Sequence, residues 1–228
     1  MTVEDRLTRE PSGRMVVRRL RRLGVIVLDE RITGPADRAA VTAALRAEVA
    51  RDGLAGLRWG ERSSALRARW AFLRTLDDAG LAAEAETWLW PLLETVQSLE
   101  TIGDAALEQG LRSLIPWDRQ RALDDLAPPR LTTPLGTAAI DYAAEGGPRV
   151  DIRVQELFGV TRHPMVGGGR TPLTLALLSP ARRPVQVTQD LPGFWAGSWA
   201  AVRAEMAGAD PGRIEALLPH RIFPGDRP

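Results

Sequence analysis

Residues 178–195, LSPARRPVQVTQDLPGFW, place an apolar strand, a basic turn, a polar strand and an aromatic helix start in immediate succession. Val185 and Val187 alternate with Gln186, Thr188 and then Gln189, so the polar side chains share one strand face. The segment Ser179 to Pro184 is a turn whose prolines restrict the backbone and favour an exposed tip carrying Arg182 and Arg183. Asp190 is a good N-cap for a final helix over about 191–206, with Phe194, Trp195, Trp199, Val202 and Met206 at helical spacing. Trp195 and Trp199 fall on one side of that helix and are expected to fasten it to the strands.

Working upstream, the same period of two extends back to about residue 129. Ala139 to Ala143, the turn at Glu145 to Pro148, and Val150, Ile152 and Val154 predict one hairpin. Gln155 to Phe158 reads as a single helical turn closed by Gly159. Pro164 to Val166, a turn at Gly167 to Gly169, and Leu173, Leu175 and Leu177 predict a second hairpin. Several short strands in so short a stretch suit a small antiparallel barrel, an architecture without open edges, closed by the C-terminal helix.

Before the double proline Pro128-Pro129 the period is 3.6. Val41, Leu45 and Val49, with Gly53 as C-terminal cap, predict a helix over 36–52. Leu66, Trp70, Leu73 and Leu76 mark a second face, and a third run from Glu84 to Val96 is broken or kinked at Pro91. Leu107, Leu111, Leu114 and Ile115 form another face, and Pro116-Trp117 opens a short helix carrying Leu123 and Leu126. Five of the tryptophans, Trp59, Trp70, Trp88, Trp90 and Trp117, lie at or near the apolar faces of this region, and most of them are expected in its core. At the front, Met15 to Val17 and Val25 to Leu28 predict a pair of short strands; one strand leading into a helical turn is the other reading, since Leu20 and Leu23 sit three apart. The expected class is α+β: an N-terminal strand pair (1–34), a helical bundle (35–128), a small barrel with its terminal helix (129–208) and a flexible tail (209–228).

Composition narrows the chemistry. The 228 residues contain no cysteine and two histidines, His163 and His220, which leaves no thiolate zinc site, no disulfide and no histidine-rich metal site. No apolar run approaches the length of a membrane span and MTVEDRLTRE begins no signal peptide, so a cytoplasmic protein without a membrane partner is expected. All 30 basic residues are arginine, against 29 acids, for a net charge of +1. Local clustering of charge, not its total, is therefore what matters. Without lysine there is no Walker-type phosphate loop, and Gly167 to Gly169, followed by Pro172 and a strand, reads as a hairpin turn instead.

The densest charge cluster is Arg14, Arg18, Arg19, Arg21 and Arg22. Guanidinium groups presented on one strand face can meet successive phosphates; a solvated face paired with Asp29, Glu30 and other acids is the plainer alternative. Arg182 and Arg183, with Gln186 and Thr188 on the adjoining strand, form a second candidate set for RNA phosphates, sugars and base edges. An acid–base enzyme would have to use Asp141, Asp151, Glu156 and His163, whose spacing implies no convergence.

Several motifs occur together in one order: RRLRRLGVIVLDER (18–31), RARWAFLR (67–74), LIPWDRQRALDDLAP (114–127 and the proline after it), VQELFGV (154–160) and the 178–195 stretch. In this order the chain resembles the C-terminal region of the HrpB-type ATP-dependent helicases, a bacterial branch of the DEAH-box RNA helicases. The resemblance covers most of residues 12–206. It implies that the nucleotide loop, the DEAH-type acid motif and the arginine finger lie in motor domains with no matching positions here. No catalytic residue is carried over, and ATP and Mg would belong to those motor domains, with no cofactor or metal in this chain.

The implied role is a non-catalytic accessory region with RNA and the helicase motor domains, in cis or in trans, as partners. A protein-interaction module without direct RNA contact, using Trp195 and the 182–188 turn, is the alternative. The resemblance also implies that Met1 falls inside a longer chain, from a truncated or split gene or an excised segment. After Gly208 the family's proline- and basic-rich ending gives way to ADPGRIEALLPHRIFPGDRP.

Overall fold

The computed structural model describes residues 1–73 and 77–209. The chain divides into two compact units. The first runs from Met1 to Trp70 and resumes up to Trp117; the second takes Ala71–Leu73 and the chain from Asp118 onward.

The first unit opens with β1 (Thr2–Arg9), β2 (Met15–Leu23) and β3 (Ile26–Pro35), an antiparallel meander in that order. Sequence reading expects a pair of strands here; β1 is the addition, because TVEDRLTR has no apolar alternation and becomes a strand only by pairing residue for residue with β2, from Thr2 opposite Arg22 to Arg9 opposite Met15. Val16 and Leu20, on one face of β2, are buried.

The helices follow from α1 (Arg38–Asp52) to α2 (Glu61–Phe72), α3 (Asp78–Ala83), α4 (Ala85–Trp88), α5 (Trp90–Leu93) and α6 (Asp104–Ser113). Asp37 caps α1 by accepting the Ala40 N–H at 2.7 Å, and the Gly53 N–H closes its far end on the Val49 carbonyl, where the sequence places the cap. Val41, Leu45 and Val49 are buried as their spacing demands. Pro91 falls in the first turn of α5, just past the break after Trp88, so the third helical run is two short helices. Leu66, Trp70, Leu81, Trp88, Leu93, Leu107 and Leu111 complete the core, each such side chain contributing about 1.5–3 kcal/mol on burial. The Trp88 indole N–H is satisfied by the Leu81 carbonyl at 2.8 Å. At Gly110 of α6 an added Cβ would lie 2.8 Å from the Trp88 carbonyl oxygen, so the lack of a side chain here lets the two segments approach closely.

In the second unit α7 (Trp117–Leu126) leads into β4 (Arg130–Thr133) and β5 (Gly136–Ala139), a hairpin that the apolar pattern does not announce. Then come β6 (Arg149–Arg153), a 3-10 turn at Val154–Leu157, the short hairpin β7 (Met165–Val166) and β8 (Thr171–Pro172), β9 (Thr174–Leu178) and β10 (Pro184–Thr188). Gly167, Gly168 and Gly169 all have positive φ in the β7–β8 turn, which is why three glycines stand there.

The expected closed antiparallel barrel is not what forms. The sheets are small and open: β10-β9-β6, β4-β5 and β7-β8. Val150 and Ile152 do not pair with the 139–143 segment, which bridges this strand at Asp141–Arg149; β6 instead runs parallel to β9, Val150 opposite Leu175 and Ile152 opposite Leu177. A parallel pair needs a long crossover, supplied by the 3-10 turn and the β7–β8 hairpin. β9, flanked on both edges, is buried through Leu175, Ala176 and Leu177. The final helix is also divided, into α8 (Leu191–Ala196), capped by Asp190 on the Gly193 N–H, and α9 (Trp199–Ala209). Of the expected flexible tail, Ala209 ends α9 and residues 210–228 lie outside the described residues.

Candidate nucleic-acid interface

The first arginine cluster sits on the β1–β3 sheet, and the register decides which of its charges are available. Arg19 is directly opposite Asp5 and holds it through two bonds of 2.7 and 2.8 Å. Arg19 thereby lowers the Asp5 carboxyl below its ordinary range. Arg18 reaches Glu30 at 2.9 Å, and Arg31 takes Asp29 at 3.0 Å. Two of the five members, Arg18 and Arg19, are thus neutralised by acids of the neighbouring strands, as expected for a solvated sheet face.

The remaining members differ. Arg14 is exposed beside the β1–β2 turn, and its guanidinium has no acidic partner among the described residues. Arg21 lies against the Met1 sulfur at 3.6 Å, and Arg22 is half-buried with its Nε unbonded. Arg6, absent from the sequence-based set because β1 was not visible as a strand, stands directly opposite Arg18. Glu30, 2.9 Å from Arg18, supplies the counter-ion that such a like-charge pair requires.

The second set lies in the other unit. Ser179 and Arg183 close a tight turn: the Ser179 N–H donates to the Arg183 carbonyl at 2.9 Å, the Arg182 N–H to the Ser179 carbonyl at 2.9 Å, and the Ser179 hydroxyl accepts the Arg183 N–H at 3.1 Å. Arg182 at its tip has φ 60°, and it is the non-glycine residue with positive φ among the described residues. Such a backbone costs about 1–2 kcal/mol for a residue bearing a Cβ. Both guanidinium groups are exposed and neither meets an acid among the described residues.

The strand that follows is less open than its sequence suggests. A bulge between Pro184 and Gln186 leaves Val187 exposed and Gln186 half-buried. The Thr188 hydroxyl is occupied locally, donating to the Asp190 carbonyl at 3.0 Å and accepting the Asp190 N–H at 2.9 Å.

The aromatic residues are mostly structural. Trp195 donates its indole N–H to the Val160 carbonyl at 3.0 Å and packs with Phe158, Phe194 and Trp199, so it serves the core of its unit. Trp117 departs from the core placement expected for most of the tryptophans: at the first turn of α7 it is 85% exposed. Its apolar neighbours Leu114 and Ile115 belong to the chain before the helix, so periodicity within α7 does not turn its ring inward.

The acids and imidazole of the β region are held separately. Asp141 accepts the Ala143 N–H, Asp151 pairs with Arg149 at 2.8 Å, and Glu156 lies 3.9 Å from Arg153. His163 bridges the Leu173 carbonyl at 2.8 Å and the Leu191 N–H at 3.2 Å. No group of three metal-ligating side chains occurs among the described residues, and no described helix is long and apolar enough to cross a membrane.

The class of protein is defined by comparison with known families. Residues 88–213 match the family model described as ATP-dependent helicase C-terminal. The chain is 38% identical over 172 residues to the ATP-dependent RNA helicase HrpB of Escherichia coli (strain K12), a match covering 71% of this chain and 21% of that protein. The crystal structure of the E. coli DExH-box NTPase HrpB superposes with a TM-score of 0.71 at 32% identity, over 92% of this chain and 27% of that one. A second, of the E. coli DEAH/RHA helicase HrpB, gives 0.66 at 31% identity, over 92% and 28%. The chain belongs to the HrpB-type ATP-dependent helicase family and corresponds to its C-terminal region. It spans about a fifth of the length of the curated relative it matches.

Proposed function

We propose that this region is a non-catalytic accessory part of an HrpB-type helicase that engages RNA and docks on the motor domains. The observation that carries the RNA reading is the 179–183 turn. Its backbone is locked by three hydrogen bonds, its tip residue Arg182 is held at positive φ, and two arginines project without acidic partners among the described residues. Strain of this kind persists where the surroundings over-determine it, and such residues cluster at binding and active sites. A rigid pair of guanidinium groups suits two successive phosphates and loses little entropy on binding them.

The β1–β2 face is the secondary contact, through Arg6, Arg14 and Arg22. Arg18 and Arg19 take part only by exchanging Glu30 and Asp5 for phosphate. The absence of lysine in the whole chain supports a role without nucleotide turnover.

The test is fluorescence anisotropy of a labelled single-stranded RNA with the 228-residue chain across a salt series. Binding that weakens with salt and drops in the Arg182→Ala/Arg183→Ala double variant is expected. Equal binding by that variant removes the turn from the site, and no binding by the parent chain leaves docking as the function.

A further inference from the structure

Among the described residues, eight of the twelve exposed large apolar side chains lie on or beside the β1–β3 sheet: Met1, Val3, Leu23, Val25, Ile26, Val27, Leu28 and Ile32. Five of these surround the β2–β3 turn. Leu23 pairs with Ile26 across a two-residue turn whose Gly24 has φ 59° and whose Val25 is 95% exposed; Ile26, Val27 and Leu28 follow at 60, 43 and 54%. A register shift between Arg21 and Arg22 puts the extra residue Leu28 in β3, so apolar groups point to both sides of the hairpin. A run of this kind standing in water costs solubility and contributes nothing to the fold of its own unit. Arg21 and Asp29, opposite one another, begin the polar rim below it.

We propose that the Leu23–Leu28 hairpin tip is a docking site for the part of an HrpB-type helicase that precedes this C-terminal region in the same polypeptide. Two observations select that occupant. The matched stretch is 21% of the E. coli relative's length, so most of a protein of this family lies outside the residues described here. Five aliphatic side chains also cover far less than the about 800 Å² per partner that a free dimer takes. A small apolar contact becomes effective when tethering raises its local concentration to about the millimolar range. A mixed apolar and main-chain surface on the preceding part fits the tip, because β3 also presents an open edge of peptide groups beside it. The inference rests on the docking half of the function proposed above and is independent of RNA binding.

Carbene footprinting reads the tip directly. The probe is a fusion of the E. coli HrpB sequence preceding the segment that superposes on this chain to Met1 of this chain, compared with the 228-residue chain alone. Labelling of residues 23–28 is expected to fall several-fold in the fusion and to return in a Val25→Asp/Ile26→Asp fusion, while labelling elsewhere on the first unit stays constant. A tip labelled as strongly in the fusion as in the isolated chain overturns the proposal. So does concentration-dependent dimerisation of the isolated chain that the double substitution abolishes, since the occupant is then a second copy. E. coli HrpB itself gives a reading that does not depend on the fusion folding: the segment superposing on Leu23–Leu28 is expected to be protected, and strong labelling there overturns the proposal as well.

Discussion

Asp104, the first residue of α6, accepts the Ser63 hydroxyl at 2.5 Å and the backbone N–H of Ser63 at 3.0 Å, binding the start of one helix to the start of another 41 residues earlier. Its other oxygen takes the Arg62 N–H at 3.0 Å. One carboxylate therefore satisfies two of the donors that α2 leaves open at its N-terminus. A Cβ on Gly60 would stand 2.3 Å from the Asp104 carboxyl carbon, so the glycine makes room for this arrangement.

Asp104→Ala should cost about 1–2 kcal/mol, the usual loss for a capping carboxylate, read as a lower urea midpoint. The Ser63 hydroxyl and the backbone N–H groups depress the Asp104 carboxyl below its ordinary value of 3.8. A depressed folded-state value means the stabilisation is present above about 3.8 and lost as the pH falls through the lower folded value. The variant should thus show a shallower acid loss of stability, and an unchanged acid limb would remove Asp104 from the account.

Gly110→Ala should destabilise the chain, although alanine in a helix interior ordinarily gains up to about 1 kcal/mol over glycine. The added methyl meets the Trp88 carbonyl oxygen at 2.8 Å and its ring at 3.2 Å. Overpacking of about 1–3 kcal/mol is expected from chemical denaturation. A stabilised variant would show that the two helices separate at no cost.

Arg182→Gly separates strain from binding. Removing the Cβ at φ 60° should raise stability by about 1 kcal/mol, while loss of the guanidinium weakens RNA binding. Thermal melts and anisotropy on the same preparation should move in opposite directions; a variant that loses both would make the turn a structural element only.

Arg182→Ala with Arg183→Ala should lower the slope of log affinity against log salt by about 1.4, two phosphates at about 0.7 each for a single strand. Arg18→Ala with Arg22→Ala should change it less, because Arg18 already has Glu30 at 2.9 Å. An equal change from both pairs would place the sheet face on an equal footing with the turn.

His163→Ala should cost about 1–2 kcal/mol through the loss of its bonds to the Leu173 carbonyl and the Leu191 N–H. Increased hydrogen exchange at Leu191 is the specific readout, since its N–H donates to the ring nitrogen that the substitution removes.

The elements that were legible are those whose cause is local. The α1 spacing of Val41, Leu45 and Val49, the Asp190 cap and the triple-glycine turn each rest on interactions within a few residues. β1 was not legible because TVEDRLTR owes its strand to a partner farther along the chain, and with it went Arg6. Ion pairing was legible in kind, since Asp29 and Glu30 were visible near the arginines, but not in detail. Arg19 is neutralised by Asp5, fourteen residues away, through the register alone.

By itself the sequence determined the family, the mixed class, the helical middle and the turn at Arg182 and Arg183, because ordered motifs, a 3.6-residue period and proline-bounded turns are local properties. Only the tertiary structure decided that β6 runs parallel to β9 and that the sheets stay open. It also decided that Trp117 and the Leu23–Leu28 tip face outward. An apolar strand pattern states that a face will be covered but not by which strand or in which direction, and that choice is made by contacts between residues far apart in the chain.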